Sequence, residues 1–237
     1  MLGDSMKMLV SDYDLTFYKD DTSFNVNLEK LEEFRKNNLF VIATGRSYKD
    51  YIDDSKGKIE SDYLVINHGA TIIKNNEVIK NNLINKDTVK KLRKIFNFDS
   101  LKYFATSNLE SRVDITCKEI SKINIDMESI EEAKKAVKYI KDHFDDIKAY
   151  TLMIHKNQIE IISKEADKMD AIEYIRKIEN IDKDDVYTVG DGYADIKMIE
   201  NYHGYAMTNA IEEVKEVSEG IVDSVSELMD NIIKSKV

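Results

Sequence analysis

Four short apolar segments, each ending in small or polar residues, constrain the fold most strongly. Continuous apolar runs of this length are typical of strands that are buried on both faces, as in a parallel sheet. Helices are expected between them, and Asn27 is a candidate N-cap for the first. The segments are residues 6–12 (MKMLVSD), 39–45 (LFVIATG), 63–69 (YLVINHG) and 186–192 (VYTVGDG), with helices predicted at 27–38 and 46–55. The alternation predicts an α/β fold with a doubly wound, mostly parallel sheet and a Rossmann-like core.

The pattern changes in the middle of the chain. A hairpin turning at Asn75-Asn76 is expected first, and Ser129 with Glu132 is a capping-box signature for a later helix. Further helices are predicted at 87–96 and 129–144, strands at 101–106 and 121–127, and a hairpin at 149–163. The alternation then resumes with a helix at 164–178 and strands at 186–192, 204–207 and 220–222. We therefore predict an α/β core, residues 1–81 and 165–237, that carries an inserted α+β cap domain, residues 82–164.

Composition excludes several classes of protein. The chain of 237 residues has a net charge of −10 and one cysteine, so phosphate-rich nucleic acid is not an expected partner and an internal disulfide is impossible. There is no apolar run of roughly 20 residues that would cross a membrane, and no signal peptide is apparent. Met1 and Met6 are alternative starts. A cytoplasmic protein, monomeric or weakly homo-oligomeric, is expected.

Two aspartates follow the first apolar segment, in the sequence SDYDLTF. Side chains at positions i and i+2 of a strand point the same way, so Asp12 and Asp14 are expected to face one point beyond the carboxyl edge of the sheet. Open α/β sheets bind ligands at that edge. Two like charges there indicate a cation between them.

Other strand ends supply further polar groups. Thr44-Gly45 offers a hydroxyl and a backbone N–H suited to a phosphate oxygen. Asp191 and Asp195 follow the 186–192 segment, and Lys168 lies on the helix before it. Carboxylates beside a hydroxyl and an ammonium predict a site for a hard cation next to a phosphoryl group, and Mg²⁺ suits such a site.

These residues resemble the four ordered motifs of the haloacid-dehalogenase superfamily of phosphatases. The motifs are Asp12-Tyr13-Asp14-Leu15-Thr16, Thr44-Gly45-Arg46, Lys168, and Gly190-Asp191-Gly192-Tyr193-Ala194-Asp195. The insert between the second and third motifs resembles the cap of the Cof-type (subfamily IIB) branch. The resemblance covers essentially the whole chain.

The resemblance implies a role for each matching residue. Asp12 would be the nucleophile that forms an aspartyl-phosphate, and Asp14 the general acid and base. The Asp14 carbonyl, with the side chains of Asp12 and Asp191, would bind Mg²⁺, and Asp195 would orient the metal shell. Phosphoryl oxygens would be held by Thr44, by the N–H groups of Tyr13 and Gly45, and by Lys168. Arg46 faces either the substrate or a helix start. The expected partner is a small phosphorylated metabolite.

Two positions depart from the family pattern. Ala194 stands where the branch usually has an asparagine that contacts phosphate, and His68 replaces the usual asparagine after the third strand. No carboxylate partner for His68 can be identified in the sequence, so it is interpreted as a junction residue and only a weak substrate candidate. Both changes concern the phosphate and leaving-group side of the site.

Three other functions fit parts of the pattern. A phosphomutase of the same superfamily would need a cationic cluster in the insert, for which Arg112, Lys118 and Lys122 are the candidates. A phospho-accepting receiver also uses clustered aspartate, threonine and lysine, in a domain of roughly half this length. A phosphate-binding protein without turnover would explain Ala194. We expect a Mg²⁺-dependent phosphatase of small phosphomonoesters, with sugar phosphates as the first choice.

Overall fold

The computed structural model describes residues 5–152 and 156–234. In chain order its main elements are β1 (Met8–Ser11), α1 (Asp21–Phe34), β2 (Leu39–Ala43), α2 (Tyr48–Ser55), β3 (Tyr63–Ile66), β4 (Thr71–Lys74), β5 (Glu77–Asn81), α3 (Lys86–Ile95), β6 (Tyr103–Thr106), β7 (Ser111–Val113), β8 (Lys122–Asp126), α4 (Ile130–His143), β9 (Ile147–Thr151), β10 (Gln158–Ser163), α5 (Lys168–Glu179), β11 (Val186–Gly190), α6 (Ile196–Asn201), β12 (His203–Met207), α7 (Glu212–Val217), β13 (Gly220–Val222) and α8 (Val225–Ile233). The strands form two sheets.

The first sheet has eight strands in the order β13-β12-β11-β1-β2-β3-β4-β5. Pairing is parallel from β13 to β3, while β4 and β5 are antiparallel additions at one edge. The apolar runs of β1, β2 and β3 are buried throughout, as expected for strands covered on both faces. The predicted fold class, a doubly wound and mostly parallel α/β sheet, is confirmed.

The second sheet lies within the insert and is antiparallel, in the order β7-β6-β8-β10-β9. One of its faces packs with α3 and α4 around a separate apolar core that includes Ile123, Ile125, Ile159 and Ile161. An α+β arrangement of this kind is what the middle of the chain predicted. The boundary residues 82 and 164 stay a prediction. The turn of the hairpin expected at 149–163 includes residues 153–155, which lie outside the described residues.

Two local sequence signals correctly predicted a turn and a helix start, because in each the residue type suits the backbone conformation at that position. Asn75 and Asn76 both have positive φ, 52° and 64°, as a tight two-residue hairpin turn requires. Ser129 caps α4 by accepting a hydrogen bond from the Glu132 N–H at 3.1 Å. The strand β7 was not expected, because its three residues carry no apolar run.

The predicted start of the first helix was wrong. Helix α1 begins at Asp21 with Asp20 as its N-cap, and Asn27 lies two turns inside it. Asn27 is fully buried because its amide donates to the Phe17 carbonyl and its oxygen accepts from the Ser226 N–H, both at 2.8 Å. Tertiary hydrogen bonds thus explain why an asparagine lies at this position, which local preference had assigned to a helix cap.

Among the described residues, no helix combines the length and the apolar character needed to cross a membrane.

Asn27→Leu should lower the free energy of unfolding by about 2–4 kcal/mol, because two buried backbone groups lose their partners at about 1–3 kcal/mol each. Urea denaturation measures the change. Asn25→Leu, an exposed asparagine on the same helix, is the matched control and should stay within about 0.5 kcal/mol of wild type. Equal stability of the two variants would contradict the role given to Asn27.

Candidate active site

Three neighbouring parallel strands end at one edge of the first sheet. The strands β11, β1 and β2 lie side by side, with Ser11 opposite both Val189 and Ile42. The Asp12 N–H continues the ladder by donating to the Val189 carbonyl at 3.0 Å, and the Thr44 N–H donates to Val65 at 2.8 Å. The residues just beyond these strands are therefore brought together.

Lys168 lies between two of the aspartates. Its Nζ donates to Asp12 Oδ1 at 2.6 Å and to Asp195 Oδ1 at 2.7 Å. Asp167 caps α5 by accepting from the Met169 N–H, so Lys168 is the first helical residue rather than the fifth residue of a helix from 164. Lys164, which could have competed for this role, is exposed.

The turn after β11 holds Asp195 and Asp191. One oxygen of Asp195 accepts the N–H groups of Asp191 and Gly192 at 3.2 and 3.1 Å. Gly190 permits this turn, because a Cβ there would lie 2.5 Å from Asp195 Cγ. Thr16 in turn donates to Asp191 Oδ1 at 3.0 Å.

The buried charges at this point do not balance. Burial raises the pKa of Asp12 well above its ordinary value despite Lys168, and Asp195 adds to the increase. Burial, followed by repulsion from Asp195, raises the pKa of Asp191 to about 6. Burial alone would lower the pKa of Lys168, but Asp12 and Asp195 raise it, so the ammonium is charged. With all three carboxyl groups ionised, the single ammonium would leave two negative charges, which is why protonation is favoured here in the absence of a further cation.

The donor set fits a divalent cation. Asp12, Asp191 and Asp195 each offer an oxygen, and these atoms all lie within 4.8 Å of one another. Carboxylate oxygens are the ligands that hard cations such as Mg²⁺ prefer. Two positive charges would also neutralise the cluster and relieve the raised pKa values.

Asp14 has a different environment from the one that strand periodicity predicted. Strand β1 ends at Ser11, so the alternation does not extend to Asp14, whose carboxylate pairs with Arg46 instead. Arg46 Nε and Nη2 contact it at 2.9 and 2.6 Å. Arg46 also reaches Asp54 at 3.2 Å, and Asp54 accepts from the Tyr13 hydroxyl at 2.7 Å.

The Thr44–Arg46 loop lies beside this ion pair. Thr44 is fully buried, and its hydroxyl accepts from the Arg46 N–H at 3.1 Å. The backbone N–H of His68 donates to the Thr44 carbonyl at 3.1 Å, and that of Asn67 donates to the Arg46 carbonyl at 2.9 Å. The loop is thus fixed against the end of β3. Phosphoryl binding by Thr44, Gly45 and the Tyr13 N–H stays a prediction.

The interpretation of His68 as a residue without a carboxylate partner was wrong. His68 Nε2 lies 2.7 Å from Glu160 Oε1 in the second sheet. Glu160 also accepts from the Tyr150 hydroxyl at 2.7 Å and the Asn124 amide at 3.1 Å, and Lys122 Nζ lies 3.3 Å away. Burial would raise the pKa of Glu160, but Lys122 and His68 hold it well below its ordinary value.

Sequence reasoning missed Glu160 and considered Lys122 only as a member of a cationic cluster in the insert, with Arg112 and Lys118. A signal was present, because Lys122 and Asn124 alternate with Ile123 and Ile125, a pattern typical of a strand with one polar face. Lys122 is buried, whereas Arg112 and Lys118 are exposed. Ala194 is exposed in the turn before Asp195.

Comparison with known proteins supports the resemblance that the motifs suggested. The sequence profile of the haloacid dehalogenase-like hydrolase family matches residues 9–113 and 100–233. A phosphoglycolate phosphatase of Sulfurisphaera tokodaii is 25% identical over 224 residues, which cover 91% of this chain and 87% of that protein. A 5-amino-6-(5-phospho-D-ribitylamino)uracil phosphatase of Bacillus subtilis is 32% identical over 105 residues, covering 44% of this chain and 35% of the relative.

Solved structures share the fold. A haloacid dehalogenase-like hydrolase from Bacteroides thetaiotaomicron superposes with a TM-score of 0.79 at 20% identity, covering 96% of this chain and 100% of that one. A putative HAD/COF-like hydrolase from Plasmodium vivax has a TM-score of 0.80 at 18% identity and covers 99% and 98%. The expected resemblance to the haloacid dehalogenase superfamily is confirmed by the sequence profile, and the fold is that of a HAD/COF-like hydrolase.

The Glu160 contacts predict a pH-dependent stability. A carboxyl group whose folded-state pKa lies below its ordinary 4.5 stabilises the fold above that pH, and this contribution is lost as the pH falls towards the folded-state pKa. Glu160→Gln should therefore lower the free energy of unfolding at pH 7 by about 3 kcal/mol. The difference from wild type should shrink below about pH 4.5.

Urea denaturation at several pH values between 7 and 3 measures this difference. Glu110→Gln, on an exposed residue of the insert, is the matched control. A difference between wild type and Glu160→Gln that stays constant over the pH range would contradict the ionised, paired state of Glu160.

Proposed function

Because the chain belongs to the haloacid dehalogenase-like hydrolases, we propose that it is a Mg²⁺-dependent phosphatase of small phosphomonoesters that acts through Asp12. The observation that carries the proposal is the position of Asp12. Its carboxylate lies at the end of the central strand β1, bound to Lys168 and grouped with Asp191 and Asp195. The names of the phosphatase relatives support this class of reaction.

Charge neutralisation is the first requirement of such a reaction. A phosphoryl dianion is repelled by the Asp12 carboxylate unless cations lie nearby. We assign the metal position to Asp12, Asp191, Asp195 and the Asp14 carbonyl, where bound Mg²⁺ would supply positive charge beside the phosphoryl group. Lys168 supplies a fixed positive charge on Asp12 itself.

In the proposed transfer, an oxygen of Asp12 attacks phosphorus while the bond to the leaving oxygen breaks. For this step Asp14 must carry a proton, so one of its oxygens has to leave Arg46; it then gives that proton to the leaving oxygen, and the product alcohol departs. Asp14 then removes a proton from a water molecule, which attacks the Asp12-bound phosphoryl group and releases phosphate. The partial exposure of the Asp14 side chain, 48%, suits a group that must reach both leaving group and water.

Arg46 holds the ionised form of Asp14, which is the form that acts as the base in the second step. Its guanidinium contacts both oxygens of Asp14 and lies over the Tyr13 ring with Cζ 5.3 Å from the centroid. Thr44 and the N–H groups of Tyr13 and Gly45 are assigned to the phosphoryl oxygens. We propose sugar phosphates as the substrate class, with the insert (residues 82–164) as the cap that reads the leaving group.

Asp12→Asn should reduce turnover by about a thousandfold or more, because an amide does not replace the nucleophilic carboxylate. Phosphate release is measured over a panel of sugar phosphates, nucleotides and phosphoglycolate, with and without Mg²⁺. Asp184→Asn, on an exposed aspartate, is the control and should retain activity. Equal activity of wild type and Asp12→Asn would exclude the mechanism.

Other outcomes of the same screen would each overturn the proposal. Isomerisation of a substrate without free phosphate would indicate a phosphomutase. Phosphorylated Asp12 that persists for many minutes would indicate a receiver, and metal-dependent phosphate binding without turnover would indicate a binding protein.

Mg²⁺ should stabilise the protein against heat by neutralising the three carboxylates. At a Mg²⁺ concentration about 100 times Kd, the expected increase in Tm is roughly 5–10 °C. Asp191→Asn should lose most of this shift, and Asp184→Asn should keep it. An identical shift in wild type and Asp191→Asn would place the ion elsewhere.

A further inference from the structure

Charged residues on the polar face of the second sheet are buried against loops that extend from the first sheet. Lys122 and Glu160 lie on the face of the second sheet that points away from the isoleucine core of the insert. They are nevertheless buried, with only 6% and 3% of their surface exposed. Buried charges of this kind need partners. Lys122 pairs with the Gly45 carbonyl on the loop after β2, and Glu160 pairs with His68 on the loop after β3.

The Thr44–Arg46 loop receives support from both sheets. Its first and third carbonyls accept the N–H groups of His68 and Asn67, which lie in the turn after β3 of the first sheet. The carbonyl of the middle residue, Gly45, instead accepts from Lys122 Nζ at 2.7 Å. Lys122, a residue of the second sheet, therefore completes the hydrogen bonding of a loop that follows strand β2 of the first sheet.

Gly45 is the residue of this loop with the most backbone freedom. It has to be glycine because the His68 ring packs on it, and a Cβ would lie 2.3 Å from His68 Cε1. The cation on its carbonyl fixes the peptide plane that joins Gly45 to Arg46. The Arg46 end of that peptide carries the guanidinium that holds Asp14.

Glu160 binds both residues that contact Gly45. His68 lies against one carboxylate oxygen and Lys122 against the other. The side chains of Glu160, His68 and Lys122 thus form one connected unit with the loop. Movement of the second sheet away from the first would withdraw the Lys122 ammonium from Gly45.

We infer that Lys122 is a positioning residue for phosphoryl transfer: from the insert, it fixes the Gly45 carbonyl and thereby aligns the Thr44–Arg46 loop with Asp12 and Asp14. The inference rests on the proposed function for its catalytic consequence. Its structural part, the dependence of the loop on Lys122, does not require turnover.

Lys122→Met tests the inference, with Lys134→Met on an exposed lysine of α4 as the matched control. Loss of alignment should lower kcat about 10-fold to 100-fold for every substrate. The loss should be similar for small and large, neutral and anionic leaving groups, and inhibition by inorganic phosphate should weaken in parallel. A loss confined to substrates with anionic leaving groups would overturn the inference, because Lys122 would then bind the substrate directly.

A double variant separates positioning from stability. Lys122→Met leaves Glu160 with one charged partner fewer and should destabilise the fold, whereas Lys122→Met with Glu160→Gln removes both charges and should recover much of the stability. Turnover should stay low in the double variant, because the Gly45 carbonyl still lacks its cation. Recovery of full turnover together with stability would show that Lys122 has only a structural role.

Hydrogen exchange gives a readout that is independent of activity. The amides of Asn67 and His68, which bond the loop, and that of Arg46 should exchange at least about tenfold faster in Lys122→Met than in wild type. Unchanged exchange would overturn the inference. If wild type released no phosphate from any substrate, the proposed function would fail while this comparison still decided the role of Lys122.

Discussion

The ion pairs of Lys168 with Asp12 and Asp195 are the interactions on which the arrangement of the site depends. A buried ammonium is stable only when it is closely paired, and this one has two carboxylates at 2.6 and 2.7 Å. The contacts connect β1, the turn after β11 and the first residue of α5. Asp167 sets where that helix begins, so a local cap also determines where the charge lies. The remaining negative charge of the cluster makes the same point attractive to a divalent cation.

Much of this geometry could be predicted from the sequence because strand ends are marked locally. Asp12, Thr44 and Asp191 each follow an apolar run, and parallel strands bring their carboxyl ends to one edge. The order β11-β1-β2 places these three ends side by side. Lys168 has no such mark, since it lies in a helix rich in charged residues, and only its position on the helix before the last motif favoured a function for it.

The residues that the sequence analysis misjudged act through distant partners. Asn27 looked like a helix cap, but it bonds the Phe17 carbonyl and the Ser226 N–H. The partner of His68 is Glu160, and their contact depends on how one sheet lies on the other. Strand periodicity was extended to Asp14, but β1 ends at Ser11 and the Asp14 carboxylate pairs with Arg46. In each case the deciding force is a tertiary contact, which no local pattern encodes.

The two halves of the site are held in different ways. The carboxylates of Asp12, Asp191 and Asp195 are fixed by elements of the first sheet and by Lys168, and none of the described residues of the insert hydrogen-bonds them. The Thr44–Arg46 loop, in contrast, bonds both His68 and Lys122, so its position depends on how the insert packs. The departures at Ala194 and His68 both fall outside the cluster of Asp12, Asp191 and Asp195. A change at His68 is coupled to Glu160, Lys122 and the glycine at position 45, so it alters the loop as a unit and leaves the carboxylate cluster intact. This separation allows the side of the Thr44–Arg46 loop to diverge while the charge balance around Asp12 is preserved.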